Sequence, residues 1–284
     1  MDSSKTTVIE PRSGWQFVRW RELFEYRDLI RYMVLRNVKA KYAQSILGLS
    51  WTVIQPFMTM VVFTVIFGNV ANIPTDNIPA PIFYFSALIP WQYFSGSFSG
   101  ASGSLTSSSG IFTKVYFPRV IVPLIPLFSK MVDFTIGAVF LVFMMIYFGF
   151  VPTANIVALP LLMLIMFLTA GGMGMLLTTL SVQYRDVQYA MSFLVRLLMY
   201  VAPVIYSVTL IQEKITEYGL PEWLYYVYGL FPMTGVIQGF RSAMVGGAPM
   251  PWDLIAIGGV VSVLVFFTGA LIFKRKEQIF ADIV

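Results

Sequence analysis

The sequence predicts an all-α, polytopic membrane protein, and three observations carry that reading. The chain of 284 residues is 57% hydrophobic and only 12% charged, about half the ~25% charge of an average soluble domain. Six apolar runs reach the ~20 residues that a helix needs to cross a bilayer at about 1.5 Å per residue. Most of the charge is clustered outside those runs, and basic charge alternates from one connector to the next.

The elements follow in chain order. Residues 1–12 carry no periodic pattern. From Ser13 to about Met33 the pattern is amphipathic. Leu23, Tyr26, Ile30, Met33 and Val34 share one helical face, opposite Arg21, Glu25, Asp28 and Arg36, and Trp15 and Trp20 add aromatics suited to a headgroup layer. This predicts a helix in the inner headgroup plane, with docking on protein as the alternative for its apolar face. Arg36, Lys39 and Lys41 form a basic collar before the first span. The spans are expected at about Ile46 to Phe67, Ile82 to Leu105, Val120 to Phe148, Ile156 to Ser181, Tyr189 to Tyr206 and Leu254 to Phe273.

Connector charge sets the orientation. Asn69 to Pro81 and Gly149 to Asn155 hold no Lys or Arg, whereas Gly110 to Arg119 holds Lys114 and Arg119, and Tyr184 to Gln188 holds Arg185. Basic connectors stay inside, so six spans place both termini in the cytoplasm. The first apolar run begins only near Ile46, so no cleavable signal is expected. Residues 1–45 are thus a cytoplasmic leader with its interface helix, 46–273 the membrane domain, and 274–284 a cytoplasmic tail. The connector 207–250 is the longest, with two short apolar stretches, Trp223 to Phe231 and Met233 to Ala243, on either side of Pro232. Each is too short to cross, which predicts a pair of helices dipping back from the outer face.

Composition also excludes chemistry. The chain has no Cys and no His, which removes thiolate chemistry, the commonest metal ligand and the commonest general base at neutral pH. No stretch fits the phosphate-cradling Gly-x-x-x-x-Gly-Lys-Ser/Thr loop, so an enzyme, ATP binding and a metal are not expected in this chain. The net charge of +5 does not point to nucleic acid. Nine of the nineteen basic residues precede Tyr42 and three more are Lys274, Arg275 and Lys276, all flanking apolar runs, as topology and anionic-lipid contact require.

A set of short motifs spread over nearly the whole length is family-like in order and spacing. They are Arg36 to Tyr42 with Ser45 to Gly48 and Trp51; Ile89-Pro-Trp91; Lys114 to Arg119; Val132-Asp133-Phe134; Tyr184 to Val187; Pro203 to Tyr206; Phe231 to Gly235 with Gly239-Phe-Arg241; and Phe280-Ala-Asp282. By these the chain resembles the transmembrane subunit of bacterial ATP-binding-cassette exporters for polysaccharides and polyol phosphates, the O-antigen, capsule and teichoic acid group. The resemblance implies a coupling loop at about 106–119 in which Lys114, Val115, Tyr116, Phe117, Pro118 and Arg119 meet the ATPase. It also implies two re-entrant gate helices, a working homodimer, two separate ATPase subunits holding ATP and Mg, and a polyprenyl-diphosphate-linked glycan as cargo in the inner membrane. Arg196 departs from the uncharged polar residue expected there.

Individual residues then acquire candidate roles. Arg36, Lys39, Lys41, Arg185 and Asp186 are cytoplasmic charged elements. Lys130 and Asp133, three apart on one helical face, are an intramembrane ion pair. Tyr84, Trp91, Tyr93, Arg196, Tyr200 and Tyr206 are candidates for a sugar- or diphosphate-lined path, since a sugar face stacks on an aromatic ring. Leu224, Phe231, Pro232, Ile237, Phe240 and Arg241 are gate candidates. Gly96 and Gly100 form a small-xxx-small pair suited to helix packing. Two other functions stay open on sequence grounds: a related permease for a drug, lipid or other small substrate, and a polytopic enzyme acting on polyprenyl-linked glycans.

Overall fold

The computed structural model describes residues 25–43, 45–107, 117–184 and 186–276, and within them the chain is helical with no strand. Helix α1 is Arg27–Tyr42, α2 Trp51–Phe63, α3 Ala80–Ser102, α4 Ser104–Ser107, α5 Ile121–Phe148, α6 Leu159–Gln183 and α7 Asp186–Val201. Helices α8 Val208–Glu217, α9 Trp223–Tyr228, α10 Pro232–Met244 and α11 Trp252–Lys276 complete the series. Among the described residues, four continuous helical stretches are long and apolar enough to cross a membrane: Gly48–Val70, Ile121–Phe148, Ala154–Gln183 and Trp252–Lys276. The first is α2 extended at both ends, by a 3₁₀ turn at Gly48–Ser50 and a π turn at Thr64–Val70.

The other two expected spans take a different form, for readable reasons. The second became α3, 23 residues long, but its Ser, Gly and Gln residues keep it below a lipid-facing level of apolarity. It sits at the centre of the bundle, packed on α5, α6, α2 and α10, and a helix walled by protein needs small residues for close approach more than it needs greasy ones. The fifth became α7, 16 residues long, ending at Val201 because Pro203 follows two residues later.

Proline and glycine set the remaining boundaries. Pro160 and Pro232 occupy the first turns of α6 and α10, where a missing N–H costs nothing. Helix α5 ends at Gly149, whose φ of 76° is left-handed and lets its N–H and that of Phe150 cap Ile146 and Met145.

The main core surrounds α3, whose Ile82, Phe83, Phe85, Phe94 and Phe98 pack with Leu141, Leu162, Met166 and the whole of α10. A second cluster, toward the basic end of the bundle, joins Met33 to Phe117, Ile121, Leu127, Met175, Phe266 and Phe273. Gly96 and Gly100 pack as expected: a Cβ on either would come within 2.8 Å of Lys130 or Pro126 on α5. The tightest crossing is α6 on α11, where a Cβ at Gly172 would lie 2.6 Å from the backbone of Phe266. Backbone cannot yield as a side chain can, so Gly172→Ala is expected to part the two helices at a cost of about 1–3 kcal/mol. A lowered thermal midpoint of the purified protein checks it, and an unchanged midpoint contradicts the crossing.

Helix α1 corrects the expected interface helix in two ways. It runs on to Tyr42, so Arg36, Lys39 and Lys41 ride on it rather than following it, because the stretch from Leu35 to Lys41 is rich in good helix formers. Its apolar face also docks on protein: Met33 is buried, and Tyr26, Ile30 and Val34 pack beside it against the second cluster. Trp15, Trp20, Arg21 and Leu23 lie outside the described residues. Lys274, Arg275 and Lys276 form the last turn of α11, where cations complement the helix dipole.

Candidate coupling and gating sites

The first site is built where α1, α2 and α5 meet. Asp133, on α5, accepts from Lys130 Nζ one turn earlier at 3.0 Å and from Lys41 Nζ, at the end of α1, at 2.5 Å. Its other oxygen accepts from the Tyr42 hydroxyl. That hydroxyl has one proton and gives it to the carboxylate, so the Thr52 hydroxyl, 2.8 Å away on α2, donates to Tyr42. Burial and the neighbouring carboxylate push the Tyr42 phenol above its ordinary value, which keeps it a donor at every physiological pH. The expected pair is therefore a clasp of two cations, a phenol and one carboxylate that ties three helices together.

Depth along α5 locates the clasp. Asp133 is roughly 22 Å of helix from Phe148, against a hydrocarbon thickness of about 30 Å. Thr52 is in the first turn of α2, so the clasp joins the start of the first membrane-length stretch to the middle of α5. Side-chain exposures are 44% for Lys41, 29% for Lys130 and 16% for Asp133.

Lys114, Val115, Tyr116 and Arg185 lie outside the described residues. Of the rest of the expected coupling loop, Pro118 and Arg119 are half-buried, whereas Phe117 turns inward at 4% exposure and packs with Met33 of α1. Phe117 thus joins the buried cluster that also holds Met33 of α1. Asp186 is exposed in the first turn of α7, where a carboxylate suits the dipole, and Arg36 and Lys39 are exposed on α1.

The aromatic path candidates separate into three groups. Tyr84, Trp91 and Tyr93 are all within 5% of full burial inside the protomer, so in this conformation they are core residues with no face to offer a substrate. Tyr206 is engaged as a cap, donating to the carbonyls of Tyr200 and Val201 at the end of α7, both at 2.9 Å. Arg196 and Tyr200 alone remain exposed, one turn apart on α7, along with Tyr189, Phe193 and Leu197. Arg196 Nε donates back to the Ser192 carbonyl on its own helix.

The second site is α9 and α10. Every residue of α10 is buried, including Pro232, Ile237, Phe240 and Arg241. In this conformation its Ile237 and Phe240 are packed against the neighbouring helices. Its N-terminus is stapled by Phe231 against Phe94, its middle by Phe240 against Phe134, and its C-terminal carbonyls Ser242 and Ala243 accept from Thr153. Helix α9 is the opposite: Leu224 is half-buried, and Trp223, Tyr226 and Val227 are exposed. No cluster of acidic residues suited to a metal occurs among the described residues.

With the clasp and the packing of α9 and α10 in view, comparison with known proteins places the chain in a family. Residues 28–245 match the family described as ABC-2 type transporter, and the chain belongs to it. It is 28% identical over 264 residues to the O-antigen export system permease protein RfbA of Myxococcus xanthus, covering 92% of this chain and 97% of that one. A Klebsiella pneumoniae protein of the same name is 24% identical over 90% of this chain and 95% of its own. The polysialic acid transport protein KpsM of Escherichia coli is 19% identical over 91% and 97%.

Proposed function

We propose that this chain is the membrane subunit of an ATP-driven exporter that moves a lipid-linked polysaccharide outward. The observation that carries the proposal is its end-to-end similarity to permeases named for O-antigen and polysialic acid transport. The absence of His, Cys and a phosphate loop supports a transport rather than an enzymatic role, with ATP and Mg bound on separate subunits. In this reading two copies enclose the path, and two ATPase subunits press on the segment from Lys114 to Arg119. Phe117 passes the push to α1, and the Asp133 clasp passes it from α1 to the first span and α5.

The remaining details belong to the same reading. Helices α3 and α7 complete six spans, α7 with the help of the buried turn through Tyr206, and both termini face the cytoplasm across the bacterial inner membrane. Arg196 and Tyr200 are the path residues best placed to meet a diphosphate and a sugar. Helices α9 and α10 re-enter from outside, with α9 as the closing surface and α10 as its support. Deleting the gene in its producing bacterium is expected to strip the glycan from the surface and leave lipid-linked glycan inside, with both effects reversed by the plasmid-borne chain. A surface that keeps its glycan would turn the reading toward a small-substrate permease. Orientation has its own check in this Cys-free chain: cysteine at Thr113 should react with an impermeant label only from inside, and outside labelling overturns the topology.

A further inference from the structure

We infer that Arg241 and Tyr206 are positioning residues for export: together they fix the end of α7, and with it the exposed face that carries Arg196 and Tyr200, onto the buried helix α10. Packing alone holds α7 loosely. Of its 16 residues only Met191 is buried, while Tyr189, Phe193, Leu197 and Tyr200 are exposed. A helix with so little buried surface keeps a set rotation only where an end is tied down.

The C-terminal end of α7 is tied in two places. Pro203 has no N–H to continue the helical ladder, and Ala202, Pro203 and Val204 are all buried, so the Pro203 carbonyl needs a donor from the protein. Arg241 supplies it: Nη2 donates to that carbonyl at 2.9 Å. Tyr206 ties the last turn itself, its hydroxyl donating to the carbonyls of Tyr200 and Val201, both at 2.9 Å. The guanidinium is held from two further sides. Nη1 donates to Gln238 Oε1 at 2.8 Å, one turn earlier on α10, and the ring of Phe83, on α3, lies against it with its centroid 3.7 Å from Cζ. Arg241, Gln238 and Phe83 are all buried, so water does not compete for these bonds, and the planar fork fixes direction as well as distance. Helix α10 is itself seated: a Cβ on Gly235 would lie 2.7 Å from the backbone of Leu254 on α11. The Tyr228 hydroxyl, at the end of α9, reaches the Tyr206 hydroxyl at 3.3 Å, a longer contact that brings α9 to the same cap.

The inference rests on the reading of Arg196 and Tyr200 as path residues. Its test uses the full permease with its ATPase and two variants, Tyr206→Phe and Arg241→Lys. Phe keeps the ring and drops only the hydroxyl, and Lys keeps the charge but has no planar fork to reach Gln238 and Pro203 together. Each is made with and without Leu197→Cys, a unique thiol on the exposed face of α7 in this Cys-free chain. Thiol labelling rate, thermal midpoint and glycan exported per ATP are read for each. Both variants are expected to change the labelling rate by roughly 2- to 10-fold, as the loss of one hydrogen bond implies, and to lower export per ATP. Gly172→Ala, which parts α6 from α11, is the control: it is expected to lower the midpoint and leave the labelling as it was. Labelling that simply follows the midpoint in all three variants marks general loosening and overturns the inference. Should Arg241→Lys fail to fold, Tyr206→Phe decides alone, and unchanged labelling there overturns it. Shifted labelling with normal export per ATP keeps the anchoring of α7 and sinks the path reading instead.

Discussion

Asp133→Asn is expected to loosen α1 from the bundle and uncouple export from ATP hydrolysis, by a wider margin than any single change at Lys41 or Lys130. The carboxylate is the only acceptor shared by two ammonium groups and a phenol. Neutralising it leaves two ammonium groups side by side with an amide in place of the compensating charge. Hydrogen bonds to a charged group contribute about 1.5–3 kcal/mol each, but the exposure of both lysines screens them, so a total near 2–3 kcal/mol is expected. Lys130→Met leaves Lys41 in place and should cost about 1 kcal/mol or less. A plain pair predicts that replacing Lys130 and Asp133 together by apolar residues is close to neutral. The clasp predicts otherwise, because Lys41 and Tyr42 are then stranded. Thermal midpoints of the four variants, with export measured per ATP hydrolysed, separate the two. A near-neutral double replacement would return Asp133 to the role of a simple pair.

Joining the two copies through α9 is expected to stop export while leaving ATP hydrolysis at least partly active. Trp223 and Tyr226 are exposed on the protomer, at 59% and 49%, whereas Ile237 and Phe240 are sealed inside it. Cysteine pairs at Trp223 or Tyr226 should therefore crosslink across the dimer, and pairs at Ile237 should not. Loss of export on oxidation, regained on reduction, is the outcome of a closing surface. Ready crosslinks at Trp223 with export untouched would make α9 a lid outside the path.

Much of this fold was legible because bilayer physics writes itself into runs of residues. The third, fourth and sixth apolar runs came out as helices within a few residues of their expected ends, since Lys, Arg, Pro and Gly punctuate them. Pro232 opened α10 as its missing N–H dictates. Helix α8 was not foreseen, because Glu213, Lys214 and Glu217 made its stretch read as loop. The sites were less legible, and the reason is range. Lys130 and Asp133 are three apart and could be paired on a helical wheel, but Lys41 and Tyr42 are about ninety residues away and nothing local announces them. Tyr84, Trp91 and Tyr93 look like path residues because aromatic rings suit sugars, yet rings also fill cores, and composition cannot say which neighbours will cover them. In sequence Arg241 is a gate candidate in the second short stretch after Pro232, and nothing local announces that it is buried. Only the packing of α3, the turn after α7 and α10 around it shows a buried cation.

The most direct measurement of the central claim is transport by the purified permease and its ATPase in sealed vesicles loaded with lipid-linked glycan. The account predicts that glycan becomes accessible on the far side only when ATP and both kinds of subunit are present, and that Asp133→Asn permease supports ATP hydrolysis with little movement. Movement without the ATPase, or hydrolysis stimulated by small apolar compounds while the glycan stays where it was, would contradict it.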